Sequence, residues 1–161
     1  MFTALRRVVL LATVPAVLLG VALTGSPASA ALTSTTTLEA QVVKLTNAAR
    51  AKSGCKAVRS DSRLVKAARA HTADMIRKNF FSHTGSDGSR FTTRATRAGY
   101  KYALSENIAW GYKNADHVVA ALMKSPGHRR NILNCSAKAV GVGVARKANG
   151  TLMWTQDFGR V

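Results

Sequence analysis

The hydrophobic period changes along this chain, and that change constrains the fold before any motif is read. Leu38, Val42, Leu45 and Ala49 recur at helical spacing. Leu64, Ala68, His71 and Met75 do the same after a cap at Ser60 or Asp61, so two amphipathic helices flank Cys55. Phe91 to Ala98 reads as a shorter helix and Ala115 to Lys124 as another. The latter stops at Ser125-Pro126-Gly127, where proline opens a new turn through His128 to Leu133. From Val140 onward the period is two. Val140, Val142 and Val144 alternate with small or polar residues, Asn149-Gly150 is a two-residue turn signal, and Leu152, Trp154 and Phe158 continue the alternation on a return strand. Tyr102, Leu104, Ile108 and Trp110 share one parity between Tyr100 and Trp110, which gives a third strand. Helices, strand, helices and hairpin define an α+β domain.

Residues 1–30 carry a different signal. Arg6 and Arg7 precede an apolar run, VVLLATVPAVLLGVALTG, and Ala28-Ser29-Ala30 supplies the small-x-small pattern accepted by signal peptidase. The run is near the ~20 residues needed to span a bilayer, but Pro15 and Gly20 interrupt it. The expectation is a signal peptide cleaved after Ala30, a short Thr-rich leader over residues 31–37, a single domain over 38–161, and no transmembrane segment in the mature chain. About 130 residues are enough to bury a core. Cys55 and Cys135 are the only cysteines. In an exported chain they are expected to pair, closing a loop long enough to be worth about 4 kcal/mol against unfolding in the chain-entropy model.

The chain carries 24 Lys and Arg against 7 Asp and Glu, a formal charge of +17. Removal of Arg6 and Arg7 would leave 22 against 7, or +15. Such a surplus raises the question of nucleic acid, whose phosphates release counterions to Lys and Arg. The cations are instead scattered along helices, as in KAARAHTADMIRK, with few aromatics interleaved for base stacking. Nucleic acid is therefore disfavoured. Anionic surfaces outside the membrane are the expected partners, and a solvated face is the plain alternative.

Three short motifs carry the chemistry: FFSHTG with His83, SENIAWG with Glu106, and SPGHRRNIL with His128. Together with AARAHTADM, GVGVA and MWTQDFG, and in this order, they resemble the CAP superfamily of secreted SCP-like domains, over a stretch from about Leu38 to the C-terminus. The resemblance implies a three-layer α-β-α sandwich, with a small antiparallel sheet between helices. It also implies that the two histidines and the glutamate line a central cleft, a convergence that spacing alone does not give. Members of the superfamily are credited with lipid binding, partner binding and, rarely, hydrolysis. Many eukaryotic members add a second cleft glutamate late in the helix before the G-H motif. Here that stretch reads ALMKSPGH, with Ser125 or a close neighbour in its place, and the only other glutamate, Glu39, is far away in sequence. Chemistry that needs paired carboxylates loses support.

Glu106 shares its parity with Leu104, Ile108 and Trp110, so its carboxylate points into an apolar face and needs a partner. A histidine suits, because a carboxylate that accepts one imidazole N–H leaves the other ring nitrogen facing out. Three readings of the cluster stay open. The first is a divalent-metal site, with His83 and His128 as ligands and Glu106 or water completing a zinc tetrahedron. In the second, Ser82, Ser105 or Ser125 is activated by a histidine, although no GxSxG elbow is present. The third is a satisfied polar core that orients the cleft loops. Trp110, Tyr112 and Ser125 are candidate groove-lining residues. His71 reads as a core histidine, His117 as exposed, and Asp87 between Gly85 and Gly88 as turn chemistry.

The expected function is a secreted, extracellular, monomeric ligand-binding module. Its ligand is a lipid, a cell-surface polyanion or a protein partner, and its cleft can hold zinc or another divalent cation without requiring a cofactor. The alternative is a secreted metal-dependent hydrolase acting at the same cleft. A binding role is favoured over an enzymatic one.

Overall fold

The computed structural model describes residues 33–161; the proposed signal peptide and its cleavage site lie outside them. Five helices and four strands follow in the order α1 (Thr35–Lys52), β1 (Arg59–Ser60), α2 (Ser62–Arg77), α3 (Phe91–Arg97), β2 (Ala103–Trp110), α4 (Ala115–Lys124), α5 (Pro126–Ile132), β3 (Ala139–Arg146) and β4 (Leu152–Gly159). Each longer helix begins at a short polar side chain that accepts from the first turn: Ser34 from Thr37 N, Asp61 from Arg63 N, and Asn114 from His117 N. Pro126 opens α5, as its fixed φ favours. The cap at Ser34 places Thr35 to Thr37 in the first turn of α1, so the stretch read as a solvated leader is shorter than expected.

The sheet has the order β1-β3-β4-β2. β3, β4 and β2 are antiparallel, while β1 adds two residues parallel to β3. That edge was not foreseen, because Arg59-Ser60 has no apolar alternation. The hairpin joining β3 to β4 is also wider than a two-residue turn: Gly150 N donates to Lys147 O, Lys147 N donates to Thr151 O, and only Gly150 takes a positive φ, +86°. In β2 a bulge between Ala103 and Ser105 breaks the parity. Leu104 therefore packs against the cluster on the opposite face from Ile108, and Tyr102, expected inward, is exposed.

Helices cover both faces. Val140, Val142, Val144, Trp154 and Phe158 meet α1, α4 and α5 in the larger core, with Leu38, Val42, Val118, Leu122 and Ile132. On the other face Gly141 and Gly143 sit directly beneath the backbone of α2. This is the α-β-α sandwich that the resemblance implied. Cys55 and Cys135 are bonded, joining the loop after α1 to the loop after α5. Glu39 lies buried at the meeting of three elements, accepting from Arg69 Nε of α2 at 2.9 Å and from Val144 N of β3 at 3.1 Å.

Candidate functional site

Glu106 lies in the middle of β2, directly opposite Asp157 of β4, and both side chains face the α2 layer beside Gly141. Its side chain is almost wholly buried, and both carboxylate oxygens are engaged. Oε1 accepts from His83 Nδ1 at 2.8 Å, and Oε2 accepts from Arg94 Nη2 of α3 at 2.6 Å. Burial works against the Glu106 anion, but the His83 hydrogen bond and the Arg94 charge outweigh it and hold the carboxyl below its ordinary value. His83 stands on the loop after α2 with 58% of its side chain exposed. Engagement of Nδ1 by Glu106 leaves Nε2 as the ring nitrogen without a hydrogen bond among the described residues. Arg94 is itself fixed by donating to Ser89 O at 2.8 Å.

His128 comes from α5, which lies along the free edge of β2. Asn131, one turn further on, donates to Glu106 O at 3.2 Å and to Asn107 Oδ1 at 2.8 Å. Asn107 in turn donates to Gln156 Oε1 at 3.1 Å and to His128 O at 3.3 Å, and Gln156 donates to Thr46 Oγ1 of α1 at 2.8 Å. This buried amide chain fixes the start of α5 to the sheet. Burial lowers the pKa of His128, and the neighbouring charge of His83 lowers it further. Both effects favour the neutral imidazole of His128.

Arg94, Asp157 and the amide chain were not identified from the sequence. Asp157 is the least expected, since it is 1% exposed and lies directly opposite Glu106. Burial, with the Glu106 charge opposite, raises its pKa well above the carboxylate range, and Arg94 offsets this only in part. Burial thus favours the neutral acid. Its pKa is raised in the folded state, so stability falls as pH rises above the ordinary carboxyl value of about 3.9. Asp157→Asn should remove this penalty. In urea titrations the variant should gain on the parent between pH 4 and pH 7, and a variant that loses stability over that range would show an ionised Asp157.

His71 is buried, with Nε2 against Ser82 O at 2.9 Å, and burial lowers its pKa. His117 is exposed, and Asp87 accepts from Ser89 N as a turn residue. A hollow of about 310 Å³ is lined by His83, Thr84, Arg90, Phe91 and Glu106; His128 is not among its lining residues. Trp110 lines a different hollow, with Phe80, Phe81 and Met153. Tyr112 is exposed and Ser125 forms the α4–α5 junction; neither lines the hollow beside His83. Ser82 Oγ accepts from Thr84 N, and Ser105 Oγ is buried without a partner, so neither hydroxyl is bonded to a histidine. Among the described residues no three His, Cys, Asp or Glu side chains are grouped to hold an ion. Both Glu106 oxygens are engaged by His83 and Arg94, so the carboxylate serves to hold those two side chains.

The fold and the ordered motifs agree with sequence comparison, in which residues 43–158 match the profile of the CAP, or cysteine-rich secretory protein, family. The chain belongs to that family. It is 43% identical over 143 residues to the protein YkwD of Bacillus subtilis strain 168, a match covering 83% of this chain and 54% of the relative. This CAP chain thus spans about half the length of that curated relative. Among solved structures it resembles an extracellular protein containing an SCP domain from Bacillus anthracis, with a TM-score of 0.73, 29% identity, and coverage of 78% of this chain and 41% of the other. It shares its fold with an outer surface protein of Borrelia burgdorferi, with a TM-score of 0.72, 18% identity, and coverage of 80% and 96%. No helix of the described residues is long and apolar enough to cross a membrane.

Proposed function

We propose that this CAP domain is exported and acts as a binding module whose cleft, formed by His83, Glu106 and His128, takes up a divalent cation as part of ligand binding. The observation that carries this reading is the 2.8 Å contact between His83 Nδ1 and Glu106 Oε1, which fixes the ring of a histidine whose side chain is 58% exposed and leaves Nε2 to a ligand. Glu106 then acts by orienting His83, as carboxylates behind metal-bound histidines do. Export is supported by the leader pattern before Ala31 and by the extracellular relative of the same fold.

Zinc titration calorimetry tests the cleft. His83→Ala and His128→Ala should each weaken zinc binding at least tenfold, about 1.4 kcal/mol, and Glu106→Gln should weaken it while also destabilising the fold. Affinity should drop between pH 7.5 and pH 5.5, because protonated imidazole cannot ligate. Equal affinity in both histidine variants would overturn the cation reading. The alternative, a metal-dependent hydrolase, rests on the same Nε2 of His83, which lines a hollow of about 310 Å³. Zinc-dependent cleavage of quenched peptide or ester substrates that is lost in His83→Ala would favour it.

A further inference from the structure

The end of the sheet at which β2 stops and β4 starts gathers aromatic rings and cations outside the cleft. Trp110 pairs with Met153, and Met153 with Ala145. The chain leaves α2 at this same end, where Met75 packs on Ile108 and Met153, with Ile76 and Phe80 against them. Asn79 takes a positive φ of 50° and accepts from Lys147 Nζ of the β3–β4 turn at 3.2 Å, which ties the two loops together. Between them lies a hollow of about 240 Å³ lined by Asn79, Phe80, Phe81, Trp110, Lys147 and Met153. Its rim is apolar and wet, with Trp110 61% and Phe81 46% exposed.

Charge in the segments that meet at this end is mostly positive, with Asp74 just before them and Asp116 of α4 just beyond. Segments 75–82, 108–114 and 144–154 hold Arg77, Lys78, Lys113, Arg146 and Lys147 and no Asp or Glu. Asp74 neutralises Arg77 from within α2, at 3.0 Å, which leaves four cations without an acidic partner among the described ion pairs. Phe81 and Trp110 share one exposed hollow, and clustered apolar surface of this kind marks an interaction site. A soluble polyanion would answer the cations and leave the rings wet. A bilayer interface answers both, since Trp and Phe rest at the boundary between headgroup and acyl chain while Lys and Arg reach anionic headgroups.

We infer that this end of the domain docks on an anionic lipid bilayer, with Phe81 and Trp110 entering the interface and Lys78, Lys113, Arg146 and Lys147 meeting the headgroups. The surface shares no lining residue with the hollow beside His83, so the inference goes beyond the cleft reading and stands or falls apart from it.

The test uses the leaderless chain with vesicles of phosphatidylcholine alone and of phosphatidylcholine mixed with phosphatidylglycerol. Flotation should recover the protein with the mixed vesicles, with affinity falling as salt rises. Intrinsic fluorescence should shift to the blue on binding. That shift reports Trp110, because the only other tryptophan, Trp154, is 3% exposed and already dry. Phe81→Ser with Trp110→Ser should cut vesicle affinity at least tenfold, and Lys78→Glu with Lys113→Glu should do the same, with thermal unfolding unchanged in both pairs. No recovery with mixed vesicles would overturn the inference. So would recovery undiminished by the Phe81 and Trp110 changes, or binding to soluble polyglutamate as tight as to the vesicles with no blue shift.

Discussion

Gly143→Ala and Gly141→Ala should each destabilise the domain by about 3 kcal/mol or more, and the double variant should not fold. A Cβ on Gly141 would lie 2.1 Å from the carbonyl carbon of Leu64 and 2.3 Å from Val65 N. On Gly143 it would lie 2.4 Å from the carbonyl carbon of Ala68 and from Arg69 N. The obstacles are the helix backbone itself, so no rotamer change makes room and α2 has to lift from the sheet. Overpacking usually costs about 1–3 kcal/mol when side chains can adjust, and here they cannot. Lifting α2 also opens the buried contacts of Thr72 Oγ1 with Thr155 Oγ1 at 2.8 Å and with Gly143 O at 3.2 Å. Against a total stability of about 5–15 kcal/mol for a domain, one methyl group should lower the melting temperature by roughly 10 °C. Gly127→Ala is the control, because a Cβ there meets nothing within 4 Å. Circular dichroism melts of the three variants decide the matter, and unchanged melting in the strand variants would mean that α2 does not rest on the β3 backbone.

The same glycines show how far the sequence could be read. Alternation over Val140 to Val144 identifies a strand with one apolar face, but small residues at Gly141 and Gly143 leave its other face unassigned. Only the structure reveals that a helix backbone replaces side chains there. Helices are the most legible elements: α4 spans the residues expected of it, and α2 and α3 agree to within a residue or two, because capping side chains and apolar spacing act locally. Parity in β2 failed at Leu104 because a bulge adds a residue without leaving a compositional mark. β1 escaped notice because a two-residue edge strand is created by its partner, β3, and not by its own side chains.

The site was legible only in part for a related reason. His83, Glu106 and His128 stand in motifs, and the parity that Glu106 shares with Ile108 turns it inward, where it is buried. Arg94 is one of 24 cations, and nothing in FTTRATR marks it as the residue that turns into the sheet. Asp157 did leave a signal: Trp154 and Phe158 assign one face of β4 to the core, so an acid at the intervening parity must face α2, beside Glu106 once the strands pair. The loss of a second cleft glutamate argued against paired carboxyls, yet β2 and β4 bring two carboxyl groups face to face, with the pKa of Glu106 lowered and that of Asp157 raised. Pairing across strands supplies what spacing within one segment does not.

Arg50→Met should cost at least about 3 kcal/mol, the loss expected when several buried acceptors are orphaned together. Arg50 is 0% exposed near the end of α1, and its guanidinium faces carbonyls instead of a carboxylate. Nε donates to Lys56 O at 3.0 Å, Nη1 to Ile132 O at 2.7 Å and Asn134 O at 2.9 Å, and Nη2 to Ala137 O at 3.0 Å. One side chain thus holds the loop after α1 and the loop after α5, the two segments that the Cys55–Cys135 bond also joins. Methionine fills much of the volume but leaves Lys56 O, Ile132 O and Ala137 O without donors, while Asn134 O keeps the hydrogen bond from Ala137 N, and each buried orphan costs about 1–3 kcal/mol unless water reaches it. Water can enter only if the segment from Ile132 to Ala137 loosens, and α5, which carries His128 and Asn131, precedes it directly. The variant should therefore lose stability in urea titration and also show faster amide exchange at Asn131 to Ala137, while α2 and α3 exchange as before. Arg50→Lys should behave much like the methionine variant, because an ammonium has three donors and lacks the planar fork that reaches all four carbonyls. Exchange that rises evenly over the whole domain would show that Arg50 contributes to global stability without specifically fixing the segment behind the cleft.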